Sequence, residues 1–127
     1  MTKQTLLIVD DEPGNIKILV ELLRAEYNIR IANHGEKALK IVLAEEAPDL
    51  VLLDITMPGL DGYEVCRRIS GNSRDKIPVI LISGKNSEAD KEKGFEAGAV
   101  DYVIKPFCAE DLKICVQTHI KAAHIDS

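Results

Sequence analysis

The sequence predicts an α/β domain with an open, doubly wound sheet of five parallel strands. Short continuous apolar runs, typical of strands buried on both faces of a parallel sheet, recur along the chain. Segments with helical spacing of apolar residues separate these runs, so strand and helix alternate five times. Because crossovers between parallel strands are right-handed, we expect the helices to cover both faces of the sheet.

The first half of the chain predicts three strands and two helices. Residues 5–9 form an apolar run that ends in an acidic pair, and a helical pattern follows from Gly14 to about Glu26. Residues 28–32 alternate polar and apolar side chains, as in a strand with one partly exposed face. The remaining elements of this half are a helix that follows Gly35 and extends to Glu46 and, after the break at Pro48, a strand over residues 50–53.

The second half predicts two further strands and three helices. Asp61 is a suitable N-cap for the third helix, and Gly98 is a suitable C-cap residue for a polar, weakly amphipathic fourth helix. Alternation along the fifth strand leaves Tyr102 partly exposed, with Val103 or Ile104 facing the core. The elements are a helix after Asp61, a strand over 77–82, a helix over 87–97, a strand over 100–104 and a helix over 109–122.

Length and composition limit the classes of protein. A chain of 127 residues suits a single domain, which we expect over residues 1–127 with its core at about 4–122. The net charge of −5 comes without a basic stripe, so direct binding of nucleic acid is not expected. The longest apolar stretch is shorter than a membrane span and no signal-peptide pattern is present, which predicts a cytoplasmic protein without membrane contact.

The cysteines and histidines suggest neither a disulfide framework nor a zinc site. The three cysteines are an odd number at unrelated spacings, which favours a reduced, cytoplasmic setting. The three histidines have no acidic or cysteine partners at ligand spacing, so we predict that all of them lie at the surface. These residues are Cys66, Cys108, Cys115, His34, His119 and His124.

Charged residues follow three of the predicted strands. Asp10 and Asp11 come after the first strand, Asp54 after the third, and Lys105 after the fifth. Ligands of such sheets collect outside the carboxyl ends of the strands, so these side chains should converge at one edge. Each residue alone is more commonly a turn residue or a surface lysine. Their coincidence at the same end of several strands favours a shared site.

Three carboxylates crowded together repel one another unless a cation or a proton intervenes. Their oxygen atoms predict a Mg²⁺ site, to which the backbone carbonyl of Thr56 could add a ligand. With the cation shielding its charge, one carboxylate can attack an electrophilic phosphorus atom and form an acyl phosphate. Lys105 would then pair with the carboxylate or with the phosphoryl oxygens, to which Ser83 offers a hydroxyl donor.

Four motifs carry these residues in a specific order along the chain: Asp10-Asp11, residues 54–62, Ser83-Gly84 and residues 102–107. With them the chain resembles a CheY-like receiver domain of bacterial two-component response regulators, over about residues 4–122. The resemblance implies a flavodoxin-like fold, (βα)5, with strand order 2-1-3-4-5. It also implies a phosphoprotein that works as a switch in phosphorelay signal transduction.

The resemblance assigns roles to the residues of the predicted site. Asp54 matches the phosphoacceptor, which takes a phosphoryl group from a sensor histidine kinase or a histidine phosphotransfer protein. Asp11 matches the direct Mg²⁺ ligand, and Asp10 matches the second acid of the pocket, which often acts through water. The metal set is completed by Asp54 itself and by the backbone carbonyl of Thr56, and Lys105 matches the lysine of the family.

The resemblance also implies how the signal leaves the site. Ser83 matches the switch hydroxyl and Tyr102 the switch aromatic; in the family, phosphorylation draws the hydroxyl inward and lets the ring follow. This reshapes the surface of the fourth helix, fifth strand and fifth helix, which controls an output domain or partner and could form a homodimer. Ser83 stands where Thr is commoner, and Thr56 and Lys85 occupy variable positions that tune the phosphoryl lifetime, so that lifetime stays open.

Two other functions fit parts of the pattern. A Mg²⁺-dependent aspartyl-phosphate phosphohydrolase needs a second carboxylate two residues after its nucleophile, where this chain has Thr56. The other is a phosphorylation-independent interaction module or a flavin-binding module of similar topology. A flavin site would need a Gly/Ser/Thr-rich loop after the first strand, where this chain has three acidic residues followed by Pro13 and would repel phosphate unless a metal intervened. The leading hypothesis is therefore a signalling domain, not an enzyme, that assists only its own phosphorylation and dephosphorylation.

The last residues bear on whether such a domain works alone. The sequence stops just past the last predicted helix, and residues 117–121 continue the helical pattern without a clear cap. This ending favours a receiver that is part of a longer protein, such as a hybrid kinase or a regulator with an enzymatic output. A stand-alone regulator is the alternative.

Overall fold

Five parallel strands form one central sheet. The protein is described by a computed structural model over residues 3–55, 61–71, 77–84 and 87–125. The strands are β1 (Thr5–Val9), β2 (Asn28–Ala32), β3 (Leu50–Asp54), β4 (Val79–Ser83) and β5 (Asp101–Ile104). Their order in the sheet is β2-β1-β3-β4-β5, so the predicted flavodoxin-like arrangement is confirmed.

Five helices alternate with these strands. They are α1 (Pro13–Leu23), α2 (Gly35–Leu43), α3 (Gly62–Ser70), α4 (Glu88–Glu96) and α5 (Ala109–Ile125). The predicted N-cap of α3 is confirmed, because the Asp61 carboxylate accepts a hydrogen bond from the Tyr63 N–H at 3.0 Å. The Ser87 hydroxyl caps α4 by accepting a hydrogen bond from the Asp90 N–H at 3.1 Å. Within the described ranges, none of these helices has the length and apolar character needed to cross a bilayer.

The ends of four helices differ from the predicted ones, since α4 lacks the first and last predicted residues, Ser87 and Ala97, which cap it. The first begins at Pro13, because Pro is well suited to the first helical turn, and its Glu12 side chain caps the N-terminus. The second ends before the predicted boundary, and the fifth continues beyond it. His34 caps α2, since its Nδ1 accepts a hydrogen bond from the Lys37 N–H at 3.2 Å. His34 is exposed, as predicted, but it also has this structural role.

Side chains of the strands alternate between two cores, one on each face of the sheet. Leu7, Val51 and Leu81 belong to the core that is completed by α2 and α3. Leu6 and Leu52 belong to the opposite core, which is completed by α1 and α5. Burial on both faces explains why the strands are continuous apolar runs and why sequence pattern alone located them.

Tyr102 is buried, so its predicted partial exposure was wrong. The residue is 9% exposed and belongs to the core on the α3 side, whereas Val103 and Ile104 are half-buried. The ring fits beside α4 because Gly94 has no side chain: a Cβ there would lie 3.0 Å from Tyr102 Cδ2 and 2.9 Å from Leu81 Cδ1. Alternation predicts which residues share a face, but a helix decides which face it covers.

Gly98 follows α4 with a left-handed backbone, at φ +103°. A Cβ there would lie 2.5 Å from the Cβ of Ser70. We therefore expect Gly98→Ala to lower the free energy of unfolding by about 2 kcal/mol, as measured by urea denaturation. Gly84 is the matched control, because a Cβ there meets nothing within 4 Å. A loss in Gly84→Ala as large as in Gly98→Ala would contradict this explanation.

Candidate functional site

Two buried carboxylates meet at the carboxyl edge of the sheet. Neighbouring strands β1 and β3 pair Val9 with Leu53, so the next residue on each strand, Asp10 and Asp54, lies at the same level. Asp10 is 2% exposed and Asp54 is 3% exposed. Carboxylates are rarely buried to this extent without a charged or hydrogen-bonding partner. The structure thus brings together the two acidic residues that the sequence placed after separate strands.

Lys105 supplies a positive charge to this pair. Its Nζ donates a hydrogen bond to Asp54 Oδ2 at 2.7 Å, and its side chain is 29% exposed. Such charge-assisted hydrogen bonds are short and strong. The Lys105 N–H also donates to the backbone oxygen of Ser83 at 2.8 Å, and the peptide bond to Pro106 is cis. The predicted convergence of Lys105 on the acidic site therefore occurs.

Asp10 is the carboxyl group that the site makes harder to ionise. Burial raises its pKa above the ordinary 3.8, and the charge of Asp54 and a side-chain hydrogen bond between the two acids raise it further. The N–H of Glu12, which donates to Asp10 Oδ1 at 3.0 Å, and the charge of Lys105 lower it in part. The pair consequently carries more negative charge than one lysine balances, and favours binding of a proton or a cation.

The other predicted site residues surround this pair unequally. Asp11 is exposed next to the buried Asp10. Ser83 is completely buried at the end of β4, one residue beyond Ile82, which pairs with Asp54 across the sheet. Thr56, whose backbone carbonyl was predicted as a metal ligand, lies outside the described residues, as does Lys85.

The Tyr102 ring has a tyrosine neighbour on α3. Burial raises the pKa of Tyr63, and a hydrogen bond with the Tyr102 side chain raises it further. The Tyr63 hydroxyl also donates to the backbone oxygen of Asp90 at 3.4 Å, and Lys93 Nζ lies 4.5 Å from the centre of its ring. Tyr102 is thus connected through Tyr63 to α4.

A second cluster of polar side chains lies at the opposite end of β5. It contradicts the prediction that His119 is a surface histidine without an acidic or cysteine partner. His119 is 22% exposed by its side chain, and its Nε2 lies 3.0 Å from Asp101 Oδ2. The Cys115 thiol donates to the same oxygen at 3.2 Å. Cys115 and His119 are four residues apart on α5, which the sequence could have signalled, but Asp101 is distant in sequence. The side chain of His124 lies outside the described residues.

Comparison with protein families gives one match over most of the chain. The family model described as "Response regulator receiver domain" matches residues 6–117. A protein of Vibrio cholerae named a probable cyclic di-GMP phosphodiesterase is 47% identical over 122 residues, which cover 95% of this chain and 27% of that protein. A transcriptional regulatory protein of Streptomyces coelicolor is 44% identical over 101 residues, which cover 80% of this chain and 44% of that protein.

Solved structures agree with these sequence relatives. The receiver domain of a sensor histidine kinase from Pseudomonas aeruginosa, with a magnesium ion coordinated in its active site cleft, is 30% identical with a TM-score of 0.83. The match covers 94% of this chain and 99% of that one. The two curated relatives above are longer proteins, of which this chain spans 27% and 44%.

Proposed function

Since this chain belongs to the response regulator receiver domain family of two-component signalling, we propose that Asp54 is its phosphoacceptor. The observation that carries the proposal is the buried Asp54 carboxylate held by Lys105 at 2.7 Å, beside a second buried acid, Asp10. The donor is a phosphohistidine of a sensor histidine kinase or of a histidine phosphotransfer protein.

The reaction uses the Asp54 carboxylate as a nucleophile. One of its oxygens attacks the phosphorus atom, and an oxygen–phosphorus bond forms as the phosphorus–nitrogen bond of the donor breaks. The donor imidazole leaves with the electron pair of that bond. Lys105 orients the carboxylate before the reaction and can pair with the phosphoryl oxygens afterwards, because its amino group is a flexible point charge on a long stem.

The acidic residues fit Mg²⁺, which needs hard oxygen ligands and usually keeps several waters. The raised pKa of the buried Asp10 favours this assignment, since a cation next to two carboxylates relieves the repulsion that raises it. Asp10, Asp11, Asp54 and the backbone carbonyl of Thr56 would hold the ion. When bound, Mg²⁺ shields the negative charges of the carboxylate and of the incoming phosphoryl group.

Ser83 and Tyr102 would carry the change to the surface. Ser83 ends β4, the strand next to that of Asp54, and its backbone oxygen accepts a hydrogen bond from the N–H of Lys105. A phosphoryl group on Asp54 would therefore be close enough to draw the Ser83 hydroxyl inward. Tyr102 packs beside Gly94 of α4, and movement of this ring changes the support of that helix. The α4-β5-α5 surface would then bind a partner, and its exposed Phe95 and Val100 suit an apolar contact, including a homodimer.

The output of the switch depends on which output domain or partner the α4-β5-α5 surface binds. The relatives that match this chain have different names, a probable cyclic di-GMP phosphodiesterase and a transcriptional regulatory protein, although the matches cover 95% and 80% of this chain. We therefore propose that the chain controls an output domain or a downstream protein by shifting a two-state equilibrium. A cytoplasmic location fits such a role.

The test of the proposed function is labelling with a small phosphodonor. We expect the chain, incubated with acetyl phosphate and Mg²⁺, to gain the mass of one phosphoryl group in intact-protein mass spectrometry. Chelation of Mg²⁺ should reduce the labelled fraction at least about tenfold, because the carboxylate pair then repels the anionic donor. Labelling that is equally fast with and without Mg²⁺ would contradict the proposed metal requirement.

A further inference from the structure

We propose that Asp101, Cys115 and His119 form a second metal site, selective for a borderline cation such as Zn²⁺, at the interface of β5 and α5. Each of these residues offers one ligand atom, and the three atoms all lie within 4.8 Å of one another. The carboxyl, thiol and imidazole groups are a ligand set that suits Zn²⁺, whereas Mg²⁺ prefers oxygen alone. The site is therefore chemically distinct from the acidic pocket of Asp54.

The distances between the ligand atoms suit tetrahedral coordination. Asp101 Oδ2 lies 3.2 Å from Cys115 Sγ and 3.0 Å from His119 Nε2. Zinc bonds of about 2.0–2.3 Å at tetrahedral angles separate neighbouring ligand atoms by roughly 3.3–3.6 Å. The two distances that involve Asp101 Oδ2 need to lengthen by only a few tenths of an ångström, and a water molecule can supply the fourth ligand.

The ligands are held in place by the surrounding structure. Asp101 Oδ1 accepts a hydrogen bond from the Tyr102 N–H at 2.8 Å, which directs the other oxygen, Oδ2, toward α5. Cys115 and His119 are one helical turn apart, so both side chains reach the same point. The hydrogen bond from Tyr102 to Asp101 is typical of metal sites, where neighbouring groups orient the ligands. The three side chains are only partly buried, and that of Asp101 is 41% exposed, so an ion can reach the site from solvent.

The same geometry argues against a catalytic role for the thiol. Burial, and then the hydrogen bond and charge of Asp101, raise the pKa of Cys115 to about 12, so the thiol is protonated when no cation is present. A bound divalent cation reverses this effect, since it stabilises the thiolate directly. Binding releases the Cys115 proton to the solvent, and replaces the hydrogen bonds within the group by metal–ligand bonds.

The experiment uses Co²⁺ as an optical substitute for Zn²⁺, in the presence of saturating Mg²⁺ to occupy the acidic pocket. We expect one equivalent of Co²⁺ to produce a thiolate-to-metal charge-transfer absorption that Zn²⁺ then displaces. Cys115→Ser should abolish the absorption, and His119→Gln should weaken binding at least about tenfold. Both replacements keep a hydrogen-bond donor for Asp101, and circular dichroism checks that they fold.

Cys108→Ser is the matched control, because Cys108 is an exposed free cysteine outside the group. This variant and Asp54→Asn should both bind Co²⁺ like the unaltered chain, so the result is independent of the proposed phosphoacceptor. Absence of the absorption in the unaltered chain, or its loss in Cys108→Ser with retention in Cys115→Ser, would overturn the proposal. As a second readout, a fixed concentration of Zn²⁺ should raise the melting temperature of the unaltered chain more than that of His119→Gln.

Discussion

Asp54→Asn is expected to reduce Mg²⁺-dependent labelling by acetyl phosphate at least about 100-fold, because the nucleophile is removed. An amide oxygen is a poor nucleophile, and the replacement also removes one of the charges that attract the cation. The side chain keeps its size in a site where Asp54 is 3% exposed, so packing should change little. The labelled fraction is measured by intact-protein mass spectrometry at equal protein and donor concentrations.

Asp111→Asn is a suitable control for this experiment. Asp111 is an exposed carboxylate in the first turn of α5, and it is not one of the residues assigned to the site. The Asp111→Asn variant should be labelled to the same extent as the unaltered chain. Full labelling of Asp54→Asn would disprove the assignment, and proteolytic mapping of the labelled peptide would then identify the true acceptor.

Asp10→Asn is expected to stabilise the protein and impair its function at the same time. Without Mg²⁺, the replacement removes the repulsion between Asp10 and Asp54 while an amide oxygen can still accept the hydrogen bond of Glu12. We expect the free energy of unfolding to rise by on the order of 1 kcal/mol at about pH 7. With Mg²⁺, labelling by acetyl phosphate should fall at least about tenfold, because a carboxylate proposed to bind the metal is lost.

The pH dependence of this gain has a definite sign. Burial raises the folded-state pKa of Asp10 above the ordinary 3.8, so the folded protein binds this proton more tightly than the unfolded chain does. The stabilisation that protonation of Asp10 gives is complete below about pH 3.8 and is lost as the pH rises through the raised pKa. The difference in stability between Asp10→Asn and the unaltered chain should therefore shrink as the pH falls.

Asp11→Asn provides the comparison that separates the two effects. Asp11 is also expected to bind Mg²⁺, but it is exposed, so its replacement does not remove a buried negative charge. It should impair labelling without stabilising the metal-free protein. Urea denaturation at several pH values measures the stabilities. Equal stability changes in Asp10→Asn and Asp11→Asn would contradict the role given to burial of the carboxylate pair.

Most of the fold, and the convergence of the acidic residues and Lys105 at one edge of the sheet, could be predicted from the sequence. Strands buried on both faces must be apolar throughout, so their positions are visible in the pattern, and helical spacing marks the segments between them. Parallel strands bring their carboxyl ends to one edge, which predicted that Asp10, Asp54 and Lys105 would meet although they are far apart in the chain. The Lys105–Asp54 contact at 2.7 Å is the outcome of that topology.

Two features depended on the tertiary structure instead. Tyr102 is buried because α4 packs over its side of the edge strand beside Gly94, and strand alternation contains no information about which helix covers which face. His119 has an acidic and a thiol neighbour because α5 packs beside the first residue of β5, at the end opposite the site of Asp10, Asp54 and Lys105.

The sequence by itself thus determined the order of elements, the sheet and the residues at its carboxyl edge, since these follow from periodic patterns and from a single rule of topology. Only the tertiary structure decided the burial of Tyr102 and the grouping of Asp101, Cys115 and His119. Such contacts between a helix and an edge strand depend on the rotation and position of the helix, which the packing of many side chains sets together.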